Sequence, residues 1–393
     1  MEYIYLGFVI TLFGLLMIFA TGKIDYLSPF SLHVFSWFIL FLGGIFAGEI
    51  FYPLSGRVFS IFLIWYLIIA SITLVIYFLQ FKDINRNKRV RVYSIKFKKP
   101  LIFFSIIACL ISIIETYYVG SSGPYAFFLN LRLSLFLEDY SGPRYVFTPV
   151  LYPIMTSLFA ISLISNNTKA LSKILILWQL IFVISTVGKL AVLTPVIIFF
   201  VIKYIGFKKK IKLRSIGLLI GFFAITSFAL TILRTSENSD KQSLFELLGT
   251  YIYSPIIAFG EISQNSENFG EHIFRFFYAL SYRIGLSSIE PVNTVQDYVY
   301  IPLPTNVYTI MQPFYQDFDI FGIFYGSIFY GLFYSLMYFK AIQKQGIYII
   351  FYSYISLNLL FGFFGETLLT NLSLSLYLFI MTGIFWRFCV DKN

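Results

Sequence analysis

Apolar runs long enough to cross a bilayer recur along almost the whole of this 393-residue chain, and nothing in it constrains the fold more. They fall at about 3–20, 30–51, 58–80, 100–119, 146–165, 173–188, 190–206, 215–233, 320–339, 346–363 and 371–388. A spanning helix needs roughly 18–20 mainly apolar residues. Because hydrocarbon offers no partner to a backbone amide or carbonyl, such runs close their hydrogen bonds internally, as helices. The pattern predicts an all-α polytopic membrane protein of about eleven transmembrane helices. It is expected to fold as a single integral-membrane domain over 1–393. Charged residues make up only 12% of the chain, against about a quarter in soluble domains. The first run lacks a basic leading region and a small-residue cleavage site, so a cleavable signal peptide is not expected.

Basic residues orient the bundle, since short cytoplasmic loops carry an excess of Lys and Arg. Arg86, Lys88, Arg89, Arg91, Lys96 and Lys98 crowd the loop at 82–99, opposed by Asp83 alone. Lys208, Lys209, Lys210, Lys212 and Arg214 crowd the next. Four apolar runs separate the two loops, so both are expected inside and the N-terminus outside. The net charge of +10 is thereby located largely in membrane-flanking loops, and no nucleic-acid partner is expected. Three segments should emerge on the opposite face, at 120–145, 234–319 and 365–371. The second is a large loop with aromatics throughout, including Tyr251–Phe259 and Phe274–Tyr282. Pieces this short suit re-entrant or interfacial helices. Cys109 and Cys389 lie in or beside apolar runs and give no disulfide framework.

The polar stretch Tyr300–Gly322 interrupts this monotony. Pro302, Pro304 and Pro313 oppose a smooth helix, because proline lacks an amide donor and restricts its predecessor. Thr305, Asn306, Tyr308, Thr309, Gln312, Tyr315 and Asp317 place hydroxyls, amides and a carboxylate at close spacing. Such a surface can grip sugar hydroxyls while aromatic faces pack on sugar rings. An ordinary extramembrane loop with proline turn chemistry has the same composition.

Basic residues on the external side are disfavoured by topology and call for a partner. Arg132 and Arg144 fall in the first external segment; Arg234, Arg275 and Arg283 fall in the large one; Lys189 follows Gly188 in a tight turn. A guanidinium fork suits a diphosphate, whereas a salt bridge to Glu138, Asp139, Glu271 or Glu290 is the plainer reading of any one of them. Arg275 and Arg283 are eight residues apart and share a face if that stretch is helical. A transfer onto a sugar hydroxyl also benefits from a base. The candidates are Asp317, favoured by its place in the Tyr300–Gly322 stretch, His272, a side chain whose ordinary pKa suits neutral pH, and Glu290. A capping carboxylate explains Asp317 as readily, and a solvated surface imidazole explains His272.

No G-x-x-x-x-G-K-[ST] or G-x-G-x-x-G is present, so nucleotide hydrolysis and dinucleotide redox lack their phosphate loops. No H-E-x-x-H or paired His/Cys spacing supports zinc, and neither a metal nor a cofactor is expected.

Pro304-Thr-Asn-Val-Tyr-Thr309, then Gln312-Pro-Phe-Tyr-Gln-Asp-Phe318 and Gly322, resembles the signature of bacterial O-antigen and oligosaccharide repeat-unit polymerases (Wzy type). The many-helix layout, the large late loop and the Gly188–Lys189 turn are similar too. Two positions depart from the pattern: Asp319 stands where a glycine often follows Asp-Phe, and Lys189 stands where arginine is more usual. The resemblance implies a glycosyltransferase of the bacterial inner membrane working on the periplasmic face. Donor and acceptor would be undecaprenyl-diphosphate-linked oligosaccharides, handled within membrane lipid alongside a chain-length regulator protein and a flippase. The external arginines would stabilise the leaving diphosphate. A flippase of lipid-linked glycan and an O-antigen ligase remain alternatives.

Overall fold

The computed structural model describes residues 1–80, 93–137, 139–166, 168–207, 249–262, 266–293 and 296–392. Its helices track the apolar runs: α1 (Glu2–Thr21), α2 (Pro29–Ala47), α3 (Gly56–Leu79), α4 (Lys98–Ser121), α5 (Phe127–Phe136), α6 (Phe147–Ile164), α7 (Lys169–Thr186) and α8 (Lys189–Val201). Then come α9 (Ser254–Gly260), α10 (Arg275–Arg283), α11 (Gln312–Lys344), α12 (Ile347–Leu360) and α13 (Leu372–Cys389). Among the described residues, eight helices are long and apolar enough to cross a membrane: α1, α2, α3, α4, α6, α7, α11 and α13. Two shorter apolar helices, at Ala191–Gly206 and Ile347–Leu360, match two more of the expected runs. The run expected at 215–233, the basic residues Arg86, Lys88, Arg89, Arg91 and Lys208–Arg214, and Arg234 lie outside the described residues.

Local chemistry sets the helix ends and satisfies the polar groups inside the spans. The Ser28 and Ser55 hydroxyls accept the amides of Ser31 and Val58, each at 3.3 Å, and Pro29 occupies the first turn, where its missing donor costs nothing. Within the spans, Thr11 donates to the Gly7 carbonyl (2.9 Å), Thr73 to Ile69 (2.7 Å) and Ser105 to Leu101 (2.7 Å). Such back-bonding lets a hydroxyl sit in an apolar helix without an orphaned donor.

The chain groups into two compact units. The first comprises Met1–Arg86, Lys241–Phe339 and Ile355–Ser375. Aromatic packing builds its core: Trp37 meets Phe62 at 5.0 Å, and Trp65 of α3 meets Phe314 at 5.5 Å and Tyr330 at 6.0 Å on α11. Tyr251–Phe259, expected to be re-entrant or interfacial, forms the helical run Gly249–Gly260, and Ser254–Phe259 is buried throughout. A short hairpin pairs β1 (Val299–Tyr300) with β2 (Pro304–Thr305) in antiparallel register.

The second unit comprises Asn87–Asp240, Lys340–Tyr354 and Leu376–Asn393. Interhelical hydroxyl bonds tie it together, as suits helices in lipid. Trp178 donates to Ser112 (3.1 Å), Thr116 meets Ser185 (2.6 Å), and Thr382 donates to Ser157 (2.9 Å). Glu115, a lone carboxylate in α4, accepts the Phe147 and Thr148 amides at 2.8 and 2.7 Å and so caps α6.

The stretch read as irregular up to Asp319 is helical from Gln312. Pro313 does not prevent this, because it falls in the first turn. The break comes later, at Phe318 and Asp319, where Asp319 adopts φ 51° and ψ −138°. That is a conformation glycine reaches freely and other residues seldom do. The chain therefore takes a glycine-like turn at an aspartate. Beyond the bend, a Cβ on Gly322 would run into the Phe314 carbonyl oxygen. Only glycine lets the two halves of α11 approach so closely.

Candidate functional site

In the first unit, the start of α11 gathers residues from far along the chain. The Asp317 carboxylate, fully buried, accepts four hydrogen bonds. They come from the Ser266 hydroxyl (2.8 Å), the His272 amide (3.2 Å), His272 Nδ1 (2.8 Å) and the Ile273 amide (2.8 Å). The carboxylate thus ties down the approach to α10, rather than capping the helix that continues from Asp319, and it also holds an imidazole. With Nδ1 donating to the carboxylate, the ring's lone pair resides on Nε2. The His272 side chain is 10% exposed.

Three residues further on, Arg275 opens α10 and Arg283 closes it. The helix the sequence required for a shared face is formed. Arg275 Nε donates to the Val292 carbonyl at 2.6 Å. Burial, and then the Arg283 charge, lower the Arg275 pKa from its ordinary value. Arg283 is exposed. Among the described residues neither arginine has an ion pair with a carboxylate. Glu271, a candidate partner in the sequence, instead accepts the Glu267 and Asn268 amides at 3.1 and 3.2 Å. Glu290 is exposed on the loop whose Val292 carbonyl reaches Arg275.

The polar stretch is more buried than its composition suggested. Thr305 is 3% exposed, and its hydroxyl meets Ser254 (3.3 Å) and the Val307 amide (3.2 Å). Tyr308 is 8% exposed and donates to the Asp297 carbonyl at 3.1 Å. Burial, then the Asp297 charge, raise its phenol pKa and keep it a neutral donor. Asn306 is half-buried. Tyr315 packs on Phe259 at 5.2 Å and accepts from Arg57, whose guanidinium also lies 5.7 Å from the Tyr315 ring centre. Sequence reasoning missed Arg57. Its only signal was a guanidinium in the first turn of an apolar helix, and nothing local ties it to residue 315.

The remaining candidates belong to the second unit. Arg132 lies in α5, and Arg144 Nη2 donates to the Leu137 carbonyl at 3.0 Å. Lys189 opens α8 directly after Gly188. Asn130 fixes the turn before α5 by accepting the Tyr125 amide (2.9 Å) and donating to the Gly120 and Tyr125 carbonyls. Among the described residues, no group of three or more His, Cys, Asp or Glu side chains is placed to hold a metal ion.

These features define an all-α polytopic membrane protein with a carboxylate–imidazole pair and two guanidiniums where one of its spans begins. The chain is similar to a protein of Escherichia coli (strain K12) named "Putative O-antigen polymerase", with 26% identity over 326 residues and 78% of each chain covered. That similarity supports the resemblance to repeat-unit polymerases read from Pro304–Gly322. No family model matches the chain, and no solved structure matches it.

Proposed function

We propose that this protein is a membrane glycosyltransferase that joins undecaprenyl-diphosphate-linked oligosaccharide repeat units into O-antigen or a related surface polysaccharide. The work is done at the periplasmic face of the bacterial inner membrane, without a metal ion. The observation that carries the reading is the pairing of His272 with Asp317 at 2.8 Å, three residues before an arginine pair lacking carboxylate partners among the described residues. The similarity to the E. coli protein points the same way.

In this reading His272 Nε2 takes the proton of the acceptor sugar hydroxyl, and Asp317 stabilises the imidazolium that forms. The acceptor oxygen bonds to the donor's anomeric carbon as the bond from that carbon to the diphosphate oxygen breaks. The departing diphosphate gains charge, so Arg275 and Arg283 bind it more tightly in the transition state than in the ground state. Of the sugar-gripping candidates, half-buried Asn306 is the one that can meet a sugar, while Thr305, Tyr308 and Tyr315 are buried and shape the stretch that carries it; exposed Glu290 stands as a further carboxylate on the loop that reaches Arg275. Arg132, Arg144 and Lys189 of the second unit, and Arg234 of the sequence, stay as separate candidates for contact with lipid phosphate.

The test is reconstitution of the purified full chain with lipid-linked repeat units. A ladder of longer glycans on undecaprenyl diphosphate is expected. Translocation of the repeat unit with no lengthening would make it a flippase, and transfer only to added lipid A–core would make it a ligase. Either outcome would overturn the proposal.

A further inference from the structure

Arg57 is a cation that the reading above leaves without a task. It stands exposed in the first turn of α3, where its guanidinium donates to the Tyr315 hydroxyl and lies 5.7 Å from the centre of that ring. No carboxylate among the described residues forms an ion pair with it. Tyr315 is itself 3% exposed and packs on Phe259 at 5.2 Å. A buried phenol thus fixes the position of an exposed charge.

Packing sets Arg57 at the same end of the first unit as His272 and Asp317. Helix α3 runs parallel to the long half of α11: Trp65 meets Tyr330 at 6.0 Å, a Cβ on Gly331 would touch Ile72 at 3.0 Å, and Tyr77 stacks on Tyr338 at 6.3 Å. Followed back along α3, this register brings Arg57 level with the bend at Phe318 and Asp319. Tyr315 and Asp317 lie within one helical turn before that bend. At about 100° per residue, their side chains leave the helix roughly 160° apart. His272 is held on the Asp317 side and Arg57 on the Tyr315 side, with the start of α11 between them.

The proposed reaction needs two anion sites, because both substrates carry a lipid diphosphate. The donor's diphosphate is bonded to the anomeric carbon under attack, so it belongs beside the base, where Arg275 and Arg283 are assigned to it. At least one sugar ring separates the acceptor's diphosphate from the attacking hydroxyl, so that group belongs away from the base. Both lipids are anchored in one face of the membrane, which puts the two diphosphates at one level.

Resting on the polymerase reading, we infer that Arg57, held by Tyr315, binds the diphosphate of the acceptor lipid, across the start of α11 from the leaving one. A guanidinium fork suits a pair of phosphate oxygens. The acceptor's diphosphate keeps its charge while the glycosidic bond forms, so Arg57 holds ground state and transition state alike. Its loss therefore raises KM and leaves kcat in place.

The experiment uses the full chain in nanodiscs. Preformed glycan on undecaprenyl diphosphate is supplied at saturation as donor, and the single lipid-linked repeat unit is varied as acceptor. Arg57→Gln should raise the acceptor KM about ten- to a hundredfold with kcat little changed, the loss expected of a charge-assisted contact. Arg57→Lys should recover part of that affinity, which packing alone would not restore. An unchanged acceptor KM in Arg57→Gln would overturn the inference. So would a fall in kcat at unchanged KM, which would move Arg57 to the leaving group. Undecaprenyl diphosphate alone supplies the second measurement, by native mass spectrometry. The unmodified chain should take up two equivalents and Arg57→Gln one; equal uptake by both would overturn the Arg57 site. Binding requires no lengthening, so the two readings fail separately: an unmodified chain that takes up two equivalents and lengthens nothing would overturn the polymerase reading and leave Arg57 as a site for lipid diphosphate.

Discussion

Asp317 Oδ1 accepts a 2.8 Å hydrogen bond from His272 Nδ1 across 45 residues of chain, and the same carboxylate takes the amides of His272 and Ile273. One side chain therefore positions the imidazole, fixes its tautomer and anchors the entry to α10.

If His272 is the base, His272→Gln should lower the polymerisation rate about 10²–10⁴-fold while the chain still inserts. Asp317→Asn should lower it too, and it should also reduce stability by about 1–3 kcal/mol, because an amide nitrogen would face buried donors. Initial rates and thermal unfolding of the two variants, side by side, separate the roles. Full activity in His272→Gln would move the base elsewhere.

Removing a positioned guanidinium from a developing charge typically costs about 10²–10³-fold in rate. Arg275→Ala and Arg283→Ala should each fall in that range, with membrane insertion intact. Arg283→Lys should retain part of the rate, since a lysine keeps the charge and loses the fork. Normal polymer length in both alanine variants would remove the diphosphate role.

At the bend in α11, Asp319 holds φ 51° on an exposed side chain. Asp319→Gly should raise stability by about 1 kcal/mol, and Asp319→Val should lower it. Gly322→Ala should cost about 1–3 kcal/mol or more, since the new methyl meets the Phe314 carbonyl. Unfolding in a fixed detergent reads all three.

In the second unit, Glu115 accepts the Phe147 and Thr148 amides and the Thr148 hydroxyl at 2.6 Å. Glu115→Ala should cost about 0.5–2 kcal/mol, as the loss of a helix cap does, and should free the start of α6 to exchange. Unchanged exchange at Phe147 and Thr148 would show that their protection does not depend on the carboxylate.

Several of these relationships had a sequence signal. The helix that carries Arg275 and Arg283 was legible in the aromatic run Phe274–Tyr282, and the departure at Asp319 marked the place where the entry to the next helix turned out to break. The burial of Thr305 and Tyr308 had none. Hydroxyls spaced to meet a sugar are spaced equally well to meet Ser254 or the Asp297 carbonyl. Composition cannot distinguish the two.

The sequence by itself determined the helical, membrane-spanning character of the chain and where most spans begin and end. Those follow from local terms: run length against bilayer thickness, and each helix closing its own hydrogen bonds. Only the tertiary structure decided that His272 meets Asp317 and that Arg57 meets Tyr315 across 258 residues. Such pairs depend on which helices pack together, and apolar helices in lipid choose their neighbours by fine side-chain fit that no run length or spacing encodes.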